Sequence, residues 1–466
     1  MRFSRSFKFF STAHDQTLVT ITNPTSGTTR VSAISFGATD NEVYVFSDFG
    51  LKLSVLNLAT SKSVDIISPK FYNPSNAAKG VSHRPGTHNL VILTRNGGKD
   101  VVSVHAHNTL AVTRSWHPDT IDAQGVAWSP DGRWIAVWDS ASQGHKMLIY
   151  TADGHLYKKW GGAKPVSEEG NDQTLGAGIK LFSWSPAGSQ IALGDYSSSV
   201  TILSVPSFTD SMSLMHSTTI KPADTLQIWQ EHATPSEDGF ARKFVPAAQM
   251  ICPPMSELPS GDPSMKSGTN ILTFDNSGTL LATRAESMPT TLWIWDVATR
   301  IIRTVLILHA PIAKATWHPT VNELLLIRCE GEESRGFIHL WDPSWESPKI
   351  INFADQIPGG KLLGKTVGRW LSTESAPPAL FFSDTQDCML ASVSEPDEGD
   401  LPWQDAESPA FNIYGQREES PLNLVPADEK RLNSRAISSG LKAGEIKMGM
   451  SGIDEVDDTF RFRKFG

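Results

Sequence analysis

The sequence predicts an all-β fold of repeated four-stranded sheets, a β-propeller, and three observations support this prediction. Short strands rich in Val, Ile, Leu and Phe alternate with turns of Gly, Pro, Asn and Asp. The first 390 residues contain no convincing stretch with the helical period of 3.6 residues. A unit built around a tight turn recurs along the 466-residue chain, mostly at the spacing of one four-stranded propeller blade.

The clearest copy of this unit spans residues 125–138. A strand is predicted to end at Trp128, and a second strand to begin at Trp134. Between them, Pro130 presets φ for a turn and Gly132 permits positive φ. The segment therefore reads as two antiparallel strands joined by a tight turn.

Seven copies are predicted, each with an anchor residue in its first strand. The anchors are Phe36, His83, Trp128, Trp184, Phe274, Trp317 and Trp370. Successive anchors lie 47, 45, 56, 90, 43 and 53 residues apart, so five steps match one blade and the longest is one blade plus an insertion. Third strands end in the Trp-Asp dipeptides at Asp296 and Asp342, which are typical of WD40 repeats. The sequence therefore predicts a WD40-type β-propeller of about seven blades, and the alternative β-sandwich does not require this repeated turn.

Composition divides the chain into five parts. The blades are predicted at residues 31–230 and 269–394, after an N-terminal segment, residues 1–30, with a candidate closing strand. Residues 231–268 are rich in Pro, Ser and Met and lack periodicity, which predicts a disordered insertion. Residues 395–466 hold 15 acidic and 9 basic side chains, so they carry −6 of the chain's net charge of −9. They are predicted to form a disordered acidic tail.

Several classes of protein are disfavoured by composition. A net charge of −9 argues against a nucleic-acid binder, which normally carries a basic stripe. The cysteines Cys252, Cys329 and Cys388 are odd in number and far apart, which fits a reducing compartment. No apolar run approaches the roughly 18 residues of a membrane span, and no secretory signal is recognised. The cytoplasm is therefore expected, with a mitochondrial presequence as the alternative for the Arg-containing start of the chain.

Two motifs that suggest chemistry are interpreted as structural. Residues 359–366 match the phosphate-loop pattern, but Pro358 precedes them and a strand in repeat register, not a helix, is predicted to follow. His105 and His107 share one face of a strand and could bind a metal, but no third ligand is evident. We expect no catalytic residue, no cofactor and no metal site, and the chain is not predicted to be an enzyme.

The predicted role is the binding of other proteins through aromatic and charged loops. Trp128, Trp184 and Trp317 are expected in the core because they occupy the repeated turn. The candidate partner-binding residues are Trp160, Trp229, Trp345, Trp403, Phe460 and Phe462. The last two belong to a C-terminal segment in which Ile453 and Val456 stand among acids, followed by a basic cluster. That segment is either an unstructured terminus or a short motif that folds on a partner or on the propeller.

Two longer stretches carry a family resemblance. The first comprises residues 124–139, 146–150, 153–156 and 178–186, and includes Ala-Val-Trp-Asp ending at Asp139. The second comprises residues 281–284, 291–296, 317–319 and 340–342. Together they resemble the WD-repeat protein 8 family, the WD40 proteins of centrosomes and spindle pole bodies, over roughly residues 31–393. The tail resembles fungal members, whereas about two repeats that the family carries before Val31 are missing, which implies an incomplete propeller.

The resemblance implies a non-catalytic adaptor at the spindle pole body or microtubule-organising centre. Such proteins bind a coiled-coil protein of the afadin/alpha-actinin-binding type and, in fungi, tether a minus-end-directed kinesin, which anchors microtubule minus ends. Direct contact with nucleic acid or membrane is not implied. The alternatives are a WD40 scaffold in another assembly, such as RNA processing or ubiquitin ligation, and an enzyme that uses a nucleotide or a metal.

Overall fold

The computed structural model describes residues 6–11, 16–22, 31–71, 77–162, 176–236, 239–256, 268–356, 362–371 and 377–393. Apart from one hairpin near the start, the described strands form seven successive sheets, all antiparallel except for one parallel pair in the fifth. The hairpin pairs β1 (Ser6–Ser11) with β2 (Gln16–Thr22). The prediction that a strand within residues 1–30 closes the propeller stays a prediction.

The first four sheets have four strands each, ordered along the sheet as they are in the chain. Sheet 1 contains β3 (Val31–Phe36), β4 (Glu42–Ser47), β5 (Lys52–Asn57) and β6 (Lys62–Ile67). After the short helix α1 (Ala77–Gly80), sheet 2 contains β7 (Val81–His83), β8 (Leu90–Asn96), β9 (Lys99–His105) and β10 (Val112–Trp116). Sheet 3 contains β11 (Gly125–Trp128), β12 (Trp134–Trp138), β13 (Met147–Thr151) and β14 (Leu156–Trp160). Sheet 4 contains β15 (Ile179–Trp184), β16 (Gln190–Asp195), β17 (Ser199–Ser204) and β18 (Thr209–Met215).

The last three sheets differ in strand number. Sheet 5 has six strands: β19 (Gln227–Ser236), β20 (Gly239–Pro246), β21 (Thr269–Phe274), β22 (Leu280–Ala285), β23 (Thr291–Asp296) and β24 (Ile301–Ile307). Sheet 6 contains β25 (Ile312–Trp317), β26 (Leu325–Cys329), β27 (Phe337–Trp341) and β28 (Lys349–Asn352). Sheet 7 has three described strands, β29 (Val367–Leu371), β30 (Ala379–Ser383) and β31 (Cys388–Ser392). The prediction of an all-β, WD40-type propeller is confirmed.

The anchors lie where the repeat predicts them. Five of the seven are the last residue of the first strand of their sheet, Phe274 is the last residue of β21 in sheet 5, and Trp370 lies within β29. In the turn that follows Trp128, Gly132 has φ of +68° and donates its N–H to the Ser129 carbonyl at 2.9 Å. The Ser129 hydroxyl oxygen accepts the Trp134 N–H at 2.9 Å, which fixes the start of the second strand.

The same turn chemistry recurs in later sheets. In sheet 4, the Ser185 hydroxyl accepts the N–H of Gln190 at 3.0 Å, five residues on. In sheet 5, a carboxylate oxygen of Asp275 accepts the N–H of Leu280 at 2.9 Å. A short polar side chain thus replaces a strand partner for the first amide of the second strand, as Asx and Ser/Thr turns do. This explains why the turn is the strongest repeated signal in the sequence.

The hydrophobic core lies between successive sheets. Six clusters of buried side chains each join one sheet to the next, from sheets 1 and 2 through to sheets 6 and 7. Trp293 and Trp341 are among the largest fully buried side chains. Trp138 stacks on Phe182 of the next sheet, with ring centroids 4.7 Å apart. Gly125 is required beneath it because a Cβ there would overlap the Trp138 indole.

The predicted disordered insertion at residues 231–268 is wrong in its first part. Strands β19 and β20 form a hairpin, and Gln227–Gln230 pair in parallel with Thr304–Ile307 of β24. Trp229 and Phe244 are buried against sheet 6. Composition concealed the hairpin because two of its buried side chains, Glu231 and Arg242, are charged. The remainder, residues 257–267, and the predicted acidic tail at residues 395–466 lie outside the described residues.

Candidate protein-binding surface

Two of the tryptophans predicted to be partner-binding are core residues instead. Trp160 is buried at the end of β14, and its indole N–H donates to Asp210 Oδ1 at 2.8 Å. Trp229 is buried in β19. The prediction that both are exposed anchors is wrong because both lie in strands, where every second side chain faces a neighbouring sheet.

The remaining candidates have different outcomes. Trp345 is half-buried against the core between sheets 6 and 7, and Lys349 Nζ lies 4.4 Å from its ring centroid. Its role in partner binding stays a prediction. Trp403, Phe460 and Phe462 lie outside the described residues. Of the tryptophans predicted in the core, Trp128 and Trp317 are buried, whereas Trp184 is half-buried.

Exposed apolar side chains gather at one end of the first three sheets. In a four-stranded antiparallel sheet, the turn between strands two and three lies at the same end as the exit of strand four. We call this the connection end. Four exposed apolar residues occupy the connection end of sheets 1 to 3 and form what we call the Phe49 surface. They are Phe49 (72% exposed), Leu51 (64%), Ile67 (64%) and Ile121 (58%).

Hydrogen bonds link the segments that carry the Phe49 surface. The carbonyl of Leu51 accepts the N–H of Ser68 at 2.7 Å, and the Ser68 carbonyl accepts the N–H of Arg95 at 3.0 Å. The Arg95 guanidinium in turn donates to the Ile121 carbonyl at 3.3 Å. Ile67 directly precedes Ser68 on this path, and the Leu51 N–H donates to the Asp48 carbonyl at 3.2 Å across the turn that carries Phe49.

The turn that carries Phe49 has an unusual backbone. Asp48 and Phe49 have φ of +54° and +56°, and neither is glycine. Such conformations cost roughly 1 to 3 kcal/mol each and persist when the surroundings enforce them. This strained turn places the Phe49 ring in solvent, and the ring belongs to no described core cluster. Burial does not account for the turn, so a role in binding is the stronger interpretation.

A charged network lies beneath the Phe49 surface. Lys70 Nζ lies 2.8 Å from carboxylate oxygens of both Asp100 and Asp122 and donates to the Ala123 carbonyl at 2.8 Å. Arg95 also pairs with Asp122. Burial raises the pKa of the Asp122 carboxyl, but the Lys70 hydrogen bond and the two cations lower that pKa overall. The network therefore holds the loop before β11 in place.

Asp139 holds the same loop from the other side. Its carboxylate is fully buried and accepts the N–H groups of Ile121 at 3.0 Å and Asp122 at 2.9 Å. Asp139 ends the Ala-Val-Trp-Asp sequence on which the family resemblance partly depends. The motif therefore has a physical role, which is to fix the loop that presents Ile121.

A second set of exposed apolar residues lies at the connection end of sheets 4 and 5. An open cavity of about 460 Å³ is lined by Met215, His216, Thr218, Ser287, Met288 and the turn at residues 197–199. Met215, Met250 and Met255 are all exposed. The segment that carries Met250 and Met255 is attached here, because Ile220 and Ile251 exchange backbone hydrogen bonds and the Ser256 N–H donates to the Ser287 carbonyl.

His216 lines this cavity and is held by hydrogen bonds at both ring nitrogens. Its Nδ1 lies 2.7 Å from the Ser198 carbonyl and therefore donates, which leaves Nε2 to accept from the Thr283 hydroxyl at 2.8 Å. Thr283 accepts in turn from the Trp295 indole N–H at 2.7 Å. Burial lowers the pKa of His216 to about 4. The imidazole is therefore neutral at physiological pH and has a structural role.

The motifs that suggested chemistry are structural where the chain is described. The strand β29 directly follows the phosphate-loop match, as predicted, in place of the helix that phosphate binding requires. His105 is buried, with Nδ1 donating to the Leu110 carbonyl at 3.0 Å and Nε2 lying 2.9 Å from the Ser103 hydroxyl. In the described part of the chain, no group of His, Cys, Asp and Glu is placed to hold a metal ion. No described helix has the length and apolar character needed to cross a membrane.

Comparison with curated proteins finds WD-repeat relatives. An uncharacterized WD repeat-containing protein of Schizosaccharomyces pombe is 27% identical over 331 residues, which cover 69% of this chain and 64% of the relative. The WD repeat-containing protein WRAP73 of Mus musculus is 25% identical over 316 residues, which cover 64% of each chain. The chain thus spans somewhat less than two thirds of the length of these relatives.

Comparison with solved structures finds propeller-containing chains at low sequence identity. The Dos1 propeller matches 78% of this chain and 78% of its own, at 13% identity and a TM-score of 0.47. A chain of the mitotic checkpoint complex matches 78% of this chain and 91% of its own, at 12% identity and a TM-score of 0.42. No protein-family model matches the sequence. The described sheets form a WD40-type β-propeller, and the curated relatives of the chain are WD repeat-containing proteins.

Proposed function

We propose that the chain is a WD40 adaptor of the spindle pole body or microtubule-organising centre, related to the WD-repeat protein 8 family. It binds a coiled-coil protein of the afadin/alpha-actinin-binding type and helps anchor microtubule minus ends and a minus-end-directed kinesin. The propeller fold and the WD-repeat relatives support the broader role of scaffold or adaptor. The site of action and the partners rest on the resemblance of residues 31–393 to the family.

One observation of the structure carries the adaptor role. The Phe49 surface exposes four apolar side chains beside a network of ion pairs that holds the loop before β11. Contiguous exposed apolar patches on soluble proteins mark sites of protein interaction. WD40 propellers use rigid sheets to present such loops. The geometry therefore supports a protein-binding function.

Imaging of the tagged chain in dividing fungal cells tests the proposed location. We expect a focus that coincides with a spindle-pole marker through mitosis, because an anchoring adaptor must be present where minus ends converge. A tagged chain that carries Leu390→Ala, an exposed residue of sheet 7, is the control for the effect of a surface change. Diffuse signal, or signal confined to another assembly, would contradict the proposal and favour a WD40 scaffold of RNA processing or ubiquitin ligation.

A further inference from the structure

The backbone of the Phe49 surface is already occupied, which limits the kind of partner it can bind. The Leu51 carbonyl and both the N–H and the carbonyl of Ser68 are used in hydrogen bonds within the chain. A partner that adds a β-strand needs free backbone groups at a sheet edge. The exposed features here are side chains on turns and connections. They suit an apolar stripe laid across them, as an amphipathic helix provides.

The surface is held rigid before any partner arrives. The left-handed Asp48–Phe49 backbone fixes one side, and the ion pairs of Lys70 and Arg95 fix the other. Interfaces formed by rigid groups lose less conformational entropy on binding. Buried aromatic anchors contribute a large share of the energy of many interfaces. Phe49 is therefore the expected main anchor.

Two carboxylates at this surface, Asp65 and Asp122, are more exposed than the cations that pair with them. In the pair of Lys52 with Asp65, the carboxylate is 48% exposed and the ammonium 21%. Asp122 is 46% exposed, whereas its partners Lys70 and Arg95 are 11% and 36% exposed. In each pair the carboxylate has the larger exposed fraction, so it is more accessible to a bound molecule than the cation is. Basic side chains on a partner would complement it.

We propose that the Phe49 surface binds the apolar face of an amphipathic helix whose flanking residues are Lys and Arg. The inference rests on the proposed adaptor function and adds the location and the chemistry of its contact. The helix places apolar residues at spacings of three and four against Phe49, Leu51, Ile67 and Ile121. Its basic flanks lie against Asp65 and Asp122.

A defined peptide tests this inference with the full chain. The probe is a fluorescein-labelled 18-residue model helix with Leu on one face and Lys on the other, and its counterpart carries Glu in place of Lys. The test variant is Phe49→Gly/Leu51→Ala, because glycine adopts the positive φ of position 49 without strain. Leu390→Ala is the control, since Leu390 is an exposed apolar residue of sheet 7, outside both exposed apolar regions. None of these substitutions alters the net charge of the chain. Nonspecific electrostatic attraction of the Lys peptide to the acidic protein is therefore the same for every variant.

Fluorescence anisotropy then distinguishes the outcomes. We expect the Kd of the Leu/Lys peptide to rise about tenfold or more in the double variant and to stay within about twofold in Leu390→Ala. Equal binding by the wild type and the double variant, with matched thermal melts, would overturn the inference, as would equal affinity for the Leu/Glu peptide. The single variant Phe49→Gly gives the same test should the double variant melt early. A wild-type chain that is diffuse in cells but discriminates these peptides would refute the spindle-pole role alone.

Discussion

Replacing Glu231 with glutamine is expected to lower the free energy of unfolding by about 3 to 5 kcal/mol, the cost of breaking a buried ion pair. Glu231 Oε1 lies 3.3 Å from Arg242 Nη1 and 3.0 Å from His339 Nε2, and Oε2 accepts the His309 N–H at 2.9 Å. The side chains of Glu231, Arg242 and His339 are almost wholly buried. Burial raises the pKa of Glu231, but the His339 hydrogen bond, His309 and Arg242 lower that pKa to about 2. The carboxylate is thus charged, and glutamine would leave Arg242 without its counter-ion.

Urea unfolding of three variants checks this prediction. Glu333→Gln is the control, because Glu333 is largely exposed and 4.0 Å from His309, and it should change stability by less than about 0.5 kcal/mol. Glu231→Gln/Arg242→Met should recover part of the loss, since no unpaired charge remains. A loss below about 1 kcal/mol in Glu231→Gln would contradict a stabilising role for the buried Glu231 carboxylate, which pairs with Arg242 within the hairpin and with His339 of sheet 6.

Acidification is expected to destabilise the chain through His216. The pKa of this residue falls from its ordinary 6.5 in the unfolded chain to about 4 in the folded one. Below about pH 6.5 the unfolded state therefore takes up a proton that the folded state refuses, and stability declines until the pH reaches about 4. At about pH 5, this group alone should cost about 2 kcal/mol relative to pH 7.5.

Other histidines also have lowered pKa values, among them His83, His105 and His318, so the contribution of His216 is measured as a difference. Between pH 7.5 and about pH 5, the wild type should lose about 2 kcal/mol more than His216→Gln, which cannot titrate. The exposed His155→Gln variant should follow the wild type. Parallel curves for the wild type and His216→Gln would show that burial does not hold the imidazole neutral.

The sequence was most informative where the chemistry is local. The turn that begins at Ser129 uses a polar side chain and a glycine with positive φ, and both are visible as letters. Its copies therefore located the first strands of the sheets. The β19–β20 hairpin was missed because its fixation depends on Glu231, Arg242 and His339, which are up to 108 residues apart in the chain. Sequence alone does not show which distant charges pair.

The binding surface was missed for a related reason. From the sequence, tryptophan in a predicted loop is interpreted as an exposed anchor. Trp160 and Trp229 are instead buried and pack against neighbouring sheets. Phe49 and Leu51 were available as a signal, because apolar residues in a tight turn have no core to face. To recognise Phe49 and Leu51 as exposed, one must know that they lie in a turn between two strands. The family resemblance of the Ala-Val-Trp-Asp sequence likewise does not show that the Asp139 carboxylate accepts the Ile121 N–H.

The most direct test of an adaptor that works through the Phe49 surface is to image the tagged Phe49→Gly/Leu51→Ala variant in dividing cells. At matched expression and thermal stability, we expect the spindle-pole focus of the wild type to be lost from the variant and kept by Leu390→Ala. A variant focus as bright as that of the wild type would contradict the account.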